Sequence, residues 1–156
     1  MNKITVCFAI AAIGIIAIFI FDRQAPKETT MTMQRKMETI PGNLDYSRTL
    51  TSVGKKYIIS ISSRLDPIPI NKIHKWEIRV NTPQGVPVDG ATVSIMGGMP
   101  MHKHGMPTAP RVTKDLRQGD YLLEGMKFSM AGWWELIVQV KKGSDRDKAT
   151  FNVILR

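Results

Sequence analysis

Cysteine is almost missing from this chain of 156 residues: the single one is Cys7, inside the apolar N-terminus. One thiol builds neither a disulfide framework within the chain nor a cysteine-based zinc site. Its scarcity leaves the redox compartment open. Also missing are a Ser-His-Asp order, a Gly-rich phosphate loop and paired carboxylates in an apolar setting. Asp115, Asp120 and Glu124 fall at turns and strand faces. No enzyme is expected on these grounds.

Acidic residues are outnumbered, 13 Asp and Glu against 22 Lys and Arg, for a net charge of +9. The basic residues are spread along the chain, with neither a recognition-helix pattern nor an aromatic RNA-binding motif, so no nucleic acid is expected as a partner. Anionic lipid headgroups or an acidic partner suit the charge better. A solvated basic surface with no partner is the plainest reading.

What is present begins with an uncharged apolar run of 18 residues, Ile4 to Phe21, just long enough to span a bilayer as a helix. Lys3 makes a short positive region before it. The run ends in Phe19-Ile20-Phe21, too bulky for signal-peptide cleavage, and Cys7 lies too early for a lipoprotein site. Residues 1–23 therefore read as an uncleaved signal anchor. Lys3 on one side and Arg23 and Lys27 on the other decide little about orientation. Such anchors usually export the domain behind them. The expectation is a single-pass protein of the cytoplasmic membrane with its C-terminal domain in the periplasm.

Residues 24–45 have few large apolar side chains and read as a linker. Met31, Met33 and Met37 lie in it, either as a metal pick-up arm or as gap-filling contacts. From Tyr46 the period changes to two. Tyr57, Ile59 and Ile61 share a face; Trp76, Ile78 and Val80 alternate with Lys75, Glu77 and Arg79; Ala91, Val93 and Ile95 point inward in the next segment. Further strands are expected at Arg111–Leu116, Tyr121–Glu124, Trp133–Lys142 and Ala149–Leu155, with a hairpin turn at Lys142-Gly143-Ser144-Asp145. Gly119-Asp120-Tyr121 resembles the tyrosine corner of sandwich domains. The fold expected over 46–156 is all-β, an immunoglobulin-like β-sandwich of seven to eight strands behind one N-terminal transmembrane helix.

One stretch gathers possible chemistry: Gly97-Gly98-Met99-Pro100-Met101-His102-Lys103-His104-Gly105-Met106-Pro107. Its prolines and glycines exclude a regular helix or a central strand. Imidazole and thioether are the donors that suit copper, with Cu(I) favoured as thioethers accumulate. In a loop bounded by Gly and Pro, the rings of His102 and His104 can converge with Met99, Met101 and Met106 in reach. Read without metal, the histidines are exposed loop residues and the methionines pack over the sandwich rim. His74 stands at the start of a core-facing row, as a third imidazole or as a buried histidine satisfied by backbone. Met126, Phe128 and Met130 share a face; if their loop lies beside the histidines, Met130 is a further ligand and Trp133 covers the site, the plainer alternative being core or rim packing.

These residues, with Gly119-Asp120-Tyr121-Leu122-Leu123-Glu124-Gly125-Met126-Lys127-Phe128-Ser129-Met130-Ala131-Gly132-Trp133-Trp134, resemble the YtkA-like domain family and, more distantly, the FixH-like membrane proteins of oxidase assembly. The likeness covers Lys56 to Leu155 and is strongest from Gly85 to Leu136. It implies an exported immunoglobulin-like sandwich, often behind a single membrane helix, in a family associated with copper handling and maturation of copper oxidases. Carried over by position, His102, His104, Met99, Met101, Met106 and Met130 are the candidate metal ligands. Where the family usually has a proline before the tryptophan pair, this chain has Ala131-Gly132. The expected function is a membrane-anchored extracytoplasmic copper-binding protein, a metallochaperone or assembly factor with a copper-protein client. The alternative is a metal-free interaction module that docks on a membrane complex through its Met/Trp-rich loops.

Overall fold

Alternating burial decides the architecture. In the strand His74–Asn81, Trp76, Ile78 and Val80 are sealed from solvent while Lys75 and Arg79 are exposed. The structure, a computed structural model, describes residues 40–156. Among them are nine strands: β1 (Thr49–Thr51), β2 (Ile58–Ser63), β3 (His74–Asn81), β4 (Thr92–Met99), β5 (His104–Gly105), β6 (Arg111–Arg117), β7 (Asp120–Met126), β8 (Gly132–Lys142) and β9 (Asp145–Leu155). A single 3-10 turn, Pro100–His102, separates β4 from β5. The strands form two antiparallel sheets in the orders β1-β2-β3-β7-β6 and β5-β4-β8-β9.

This is the expected all-β, immunoglobulin-like sandwich, with more strands than the seven to eight expected. The additions are β1 and β5, too short to carry a period of their own. The anchor expected over residues 1–23 lies outside the described residues, as does most of the linker. Among the described residues no helix is long and apolar enough to cross a membrane.

The core lies between the sheets. Ile59 and Ile61 of β2, Trp76, Ile78 and Val80 of β3, and Leu123 of β7 face Trp134, Leu136 and Val138 of β8 and Phe151 and Val153 of β9. Each such side chain contributes roughly 1.5–3 kcal/mol by leaving water. Both flanks are closed. On one, the segment around β1 reaches over to β9: the Val53 amide donates to Lys148 O, Arg48 Nη1 to Asn152 O, and Asn152 Nδ2 to Asp45 O. On the other, the chain crosses from β5 to β6, and Thr108 Oγ1 donates to Gly125 O at 2.8 Å.

The tyrosine corner forms as expected. Tyr121 Oη donates to Val88 O at 2.5 Å and accepts from the Ala91 amide at 3.0 Å, pinning the β3–β4 connection. At the same end, Asp147 collects the β1–β2 turn. Its carboxylate accepts from Ser52 Oγ at 2.5 Å and from the amides of Gly54, Lys56 and Lys148. Partial burial raises the carboxyl, but the hydroxyl of Ser52 and the three amides outweigh it and bring it down to about 2.

The pH dependence follows from that lowered value. The stabilisation is complete above the ordinary carboxylate range near pH 4 and is lost as the pH falls through about 2. Asp147→Asn should cost about 1–2 kcal/mol at neutral pH, since the group is only half-buried. In equilibrium unfolding of the full chain, the gap to wild type should stay constant above about pH 4 and narrow below it.

Candidate metal centre

All the candidate ligands belong to one end of the sandwich, where β4 ends and β8 begins. Contrary to the expectation of no central strand, Gly97-Gly98-Met99 continue β4 between β5 and β8, and the two glycines let the chain fold back there. Gly98 of β4 pairs with Gly105 of β5, and a Cβ on Gly98 would lie 2.8 Å from His104 O. A Cβ on Gly97 would meet Leu136 Cδ2 at 2.7 Å and Met106 Sδ at 3.0 Å. No larger residue allows β5 so close to β4. Pro100 opens the 3-10 turn, a position where its missing N–H costs nothing. Lys103 closes the turn in the left-handed region at φ 55°, its amide donating to Met99 O at 2.9 Å. The Met106 amide then donates to Gly97 O at 3.0 Å.

This fold-back brings two exposed imidazoles close to each other. The ring centres of His102 and His104 are 5.9 Å apart at 34°. A ligating imidazole has its centre about 3.2 Å from the ion, given metal–nitrogen bonds of about 2.0–2.1 Å; two rings sharing one ion therefore have centres up to about 6.4 Å apart. His102 and His104 fall inside that limit. His104 is also oriented. Its Nδ1 lies 2.9 Å from Gly105 O, and a carbonyl only accepts, so Nδ1 carries the proton and Nε2 keeps its lone pair. A ligating histidine is commonly held in this way by a bond from its other nitrogen.

The ring of His104 stands edge-on to the buried Trp134, with centres 5.8 Å apart. Trp134 Nε1 donates to Met130 O at 3.1 Å, which brings the β7–β8 loop to the same place. Trp133, expected over the site, lies on the other face of β8. It is 7% exposed, and its Nε1 donates to Asn152 Oδ1 at 2.9 Å. The pattern contained the signal: Trp134, Leu136, Val138 and Val140 form an unbroken apolar row, whereas Trp133 heads a row holding Glu135 and Gln139.

The thioethers divide. Met99, on the inward parity of Val93 and Ile95, is 2% exposed and joins the core. Its Cε occupies the space above Gly132, which has a φ of 119°; a Cβ there would be 2.8 Å from it. Met106 is half-buried with its sulfur against Gly97. Met101 is half-buried, and Met130 is 38% exposed. Met130 is thus the most exposed of the four and Met99 the most buried, with Met101 and Met106 between them. Among the described residues no three His, Cys, Asp or Glu side chains gather as a metal-binding group. Beside the pair lies an open cleft of about 390 Å³, walled by Met96, Pro100, Lys103, His104, Glu135 and Ile137.

Gly98→Ala tests whether this packing sets the histidine geometry. The added methyl meets backbone, so β5 must move away from β4. The expected result is amide hydrogen exchange at Met106 faster by tenfold or more, with the core strands β3 and β8 unchanged.

Among known proteins, the family model described as YtkA-like matches residues 51–139, which include every strand from β2 to β7 and most of β8. No curated protein and no solved structure matches the chain. The matched span holds the whole histidine–methionine turn, the tyrosine corner and the tryptophan pair, and the chain belongs to the YtkA-like family.

Proposed function

We propose that this protein is a membrane-anchored, extracytoplasmic copper-binding protein that carries Cu(I) to a copper-protein client, as a metallochaperone or assembly factor. The observation that carries the reading is the histidine pair: two exposed imidazoles at one-ion separation, one of them oriented through Nδ1 with its Nε2 lone pair free. Thioethers next to this pair favour the soft monovalent ion over harder divalent ones. His102, His104, Met101 and Met130 would hold the ion from the rim, with Met99 and Met106 behind them. Bound copper supplies no reaction in this role; the ion is cargo. The exposed rim and the adjoining open cleft suit a ligand-exchange partner, because a client needs access to a coordination position. The apolar run at residues 4–21 and the basic excess of the chain support an anchor at an anionic bilayer.

The alternative, a metal-free docking module, would use exposed rim side chains such as Met96 and Met130. It gains nothing from Trp133, which is engaged with Asn152.

The test is Cu(I) competition on the full chain purified in detergent. His102→Ala combined with His104→Ala should release one full equivalent of copper to a Cu(I) chelator. The unfolding free energy should change by no more than about 0.5 kcal/mol, since both rings are exposed. A double variant that keeps the wild-type copper load overturns the proposal.

A further inference from the structure

One layer below the rim, the core contains the third histidine of the chain, whose chemistry is unused. His74 is 5% exposed. Its Nδ1 lies 2.9 Å from Lys72 O and so carries the proton, which leaves the Nε2 lone pair pointing into the protein. Nε2 is sealed from solvent and has no hydrogen-bond partner among the described residues. Buried polar atoms are nearly always paired, and an orphaned one costs about 1–3 kcal/mol. An apolar residue at the head of this inward row would have avoided that cost by continuing Trp76, Ile78 and Val80. A use of Nε2 in binding a ligand would offset it.

The residue opposite it identifies that use. His74 is in register with Met126 of β7, and Met126 is fully buried. This pairing depends on a bulge. Trp76 is opposite Leu123, two positions from His74 on β3 but three from Met126 on β7. In a regular strand Leu123 and Met126 would face opposite sides of the sheet. The extra residue, with Gly125 at φ 87°, turns both inward and sets a thioether across from the imidazole. Directly opposite residues on one face have Cβ atoms about 4.5–5.5 Å apart, within reach of one shared ion.

We propose that His74 Nε2 and Met126 Sδ form a second, inner position for a soft monovalent metal ion, separate from the histidine pair of the rim. The surroundings select the charge. Phe128 and Trp76 lie 5.7 and 6.4 Å from the imidazole, centre to centre, and form apolar aromatic walls. Desolvating a divalent ion there would cost far more than desolvating a monovalent one, and an aromatic face attracts a desolvated cation. One nitrogen and one sulfur are soft donors of the kind that suits Cu(I). The inner position is joined to the rim by packed rings: Phe128 meets Trp134 at 5.1 Å, and Trp134 meets His104 at 5.8 Å. The inference rests on the copper reading of the rim for the identity of the ion, and gives the protein an inner holding position beneath an outer exchange position.

The experiment uses the full chain in detergent micelles, with ¹⁵N-labelled histidine and ¹³C-methyl-labelled methionine. Ag(I) serves as the redox-silent probe for Cu(I). In the His102→Ala/His104→Ala variant, one equivalent of Ag(I) should still shift the His74 Nε2 and Met126 methyl resonances. Adding Met126→Leu, which keeps the volume, should weaken that binding by tenfold or more; adding His74→Gln should abolish it. His74 and Met126 resonances that do not move with Ag(I) overturn the inner position. It is equally overturned if the Trp76 indole proton, also without a partner among the described residues, exchanges magnetisation with a long-lived water, because that water would then satisfy both orphaned nitrogens. Failure of the rim reading looks different: the His102 and His104 resonances of the wild type would stay still, whatever His74 does.

Discussion

The contact on which this end of the molecule depends is Trp134 between core and rim. Its indole is fully buried, packs edge-on against Phe128 below and His104 above, and donates its one proton to Met130 O. A large ring in a close-packed interior has one position available. The loops it touches inherit that rigidity. The histidine pair is thus the outermost layer of the hydrophobic core, held through a short turn that two glycines permit. Without that support, a stretch rich in Gly, Pro and Met would pay the full entropy of an open loop before it gathered any ligands.

The two ends of the sandwich use different chemistry. At one, Asp147 and Tyr121 draw backbone donors and acceptors into charge-assisted and buried hydrogen bonds, which make the connections there stiff and hydrophilic. At the other, sulfur, imidazole and indole replace oxygen. Soft, polarisable side chains pack irregular gaps and tolerate rearrangement. Under the proposed copper-carrying role that tolerance is what a rim exchanging its cargo would need, whereas the end that holds the sheets in register needs none of it.

The sheet interiors were legible because period-two alternation is a local property. β3 and β8 read correctly from their rows of Trp, Ile, Val and Leu, and the tyrosine corner from Gly119-Asp120-Tyr121. β5 was not legible: two residues carry no period, and its pairing comes from the absence of a side chain on Gly98, felt only when the strands meet. The parity of Met126 was equally hidden, since one inserted residue reverses every later face and only the isolated Gly125 marks the place. For Met99 and Trp133 the rows were present in the sequence. Met99 continues the inward row of Val93 and Ile95, and only its nearness along the chain to the histidines sets it beside the exposed methionines.

β9 is eleven residues long and sits at the margin of its sheet. A margin of that length, left bare, offers a row of free amides and carbonyls on which another copy of the chain can add, copy after copy. Here Val53 and Arg48 take up two carbonyls of that row, those of Lys148 and Asn152, and Asp45 O accepts from the Asn152 side chain. The segment that leads into the domain thus takes up part of the margin on which a second copy would have to add its own strand.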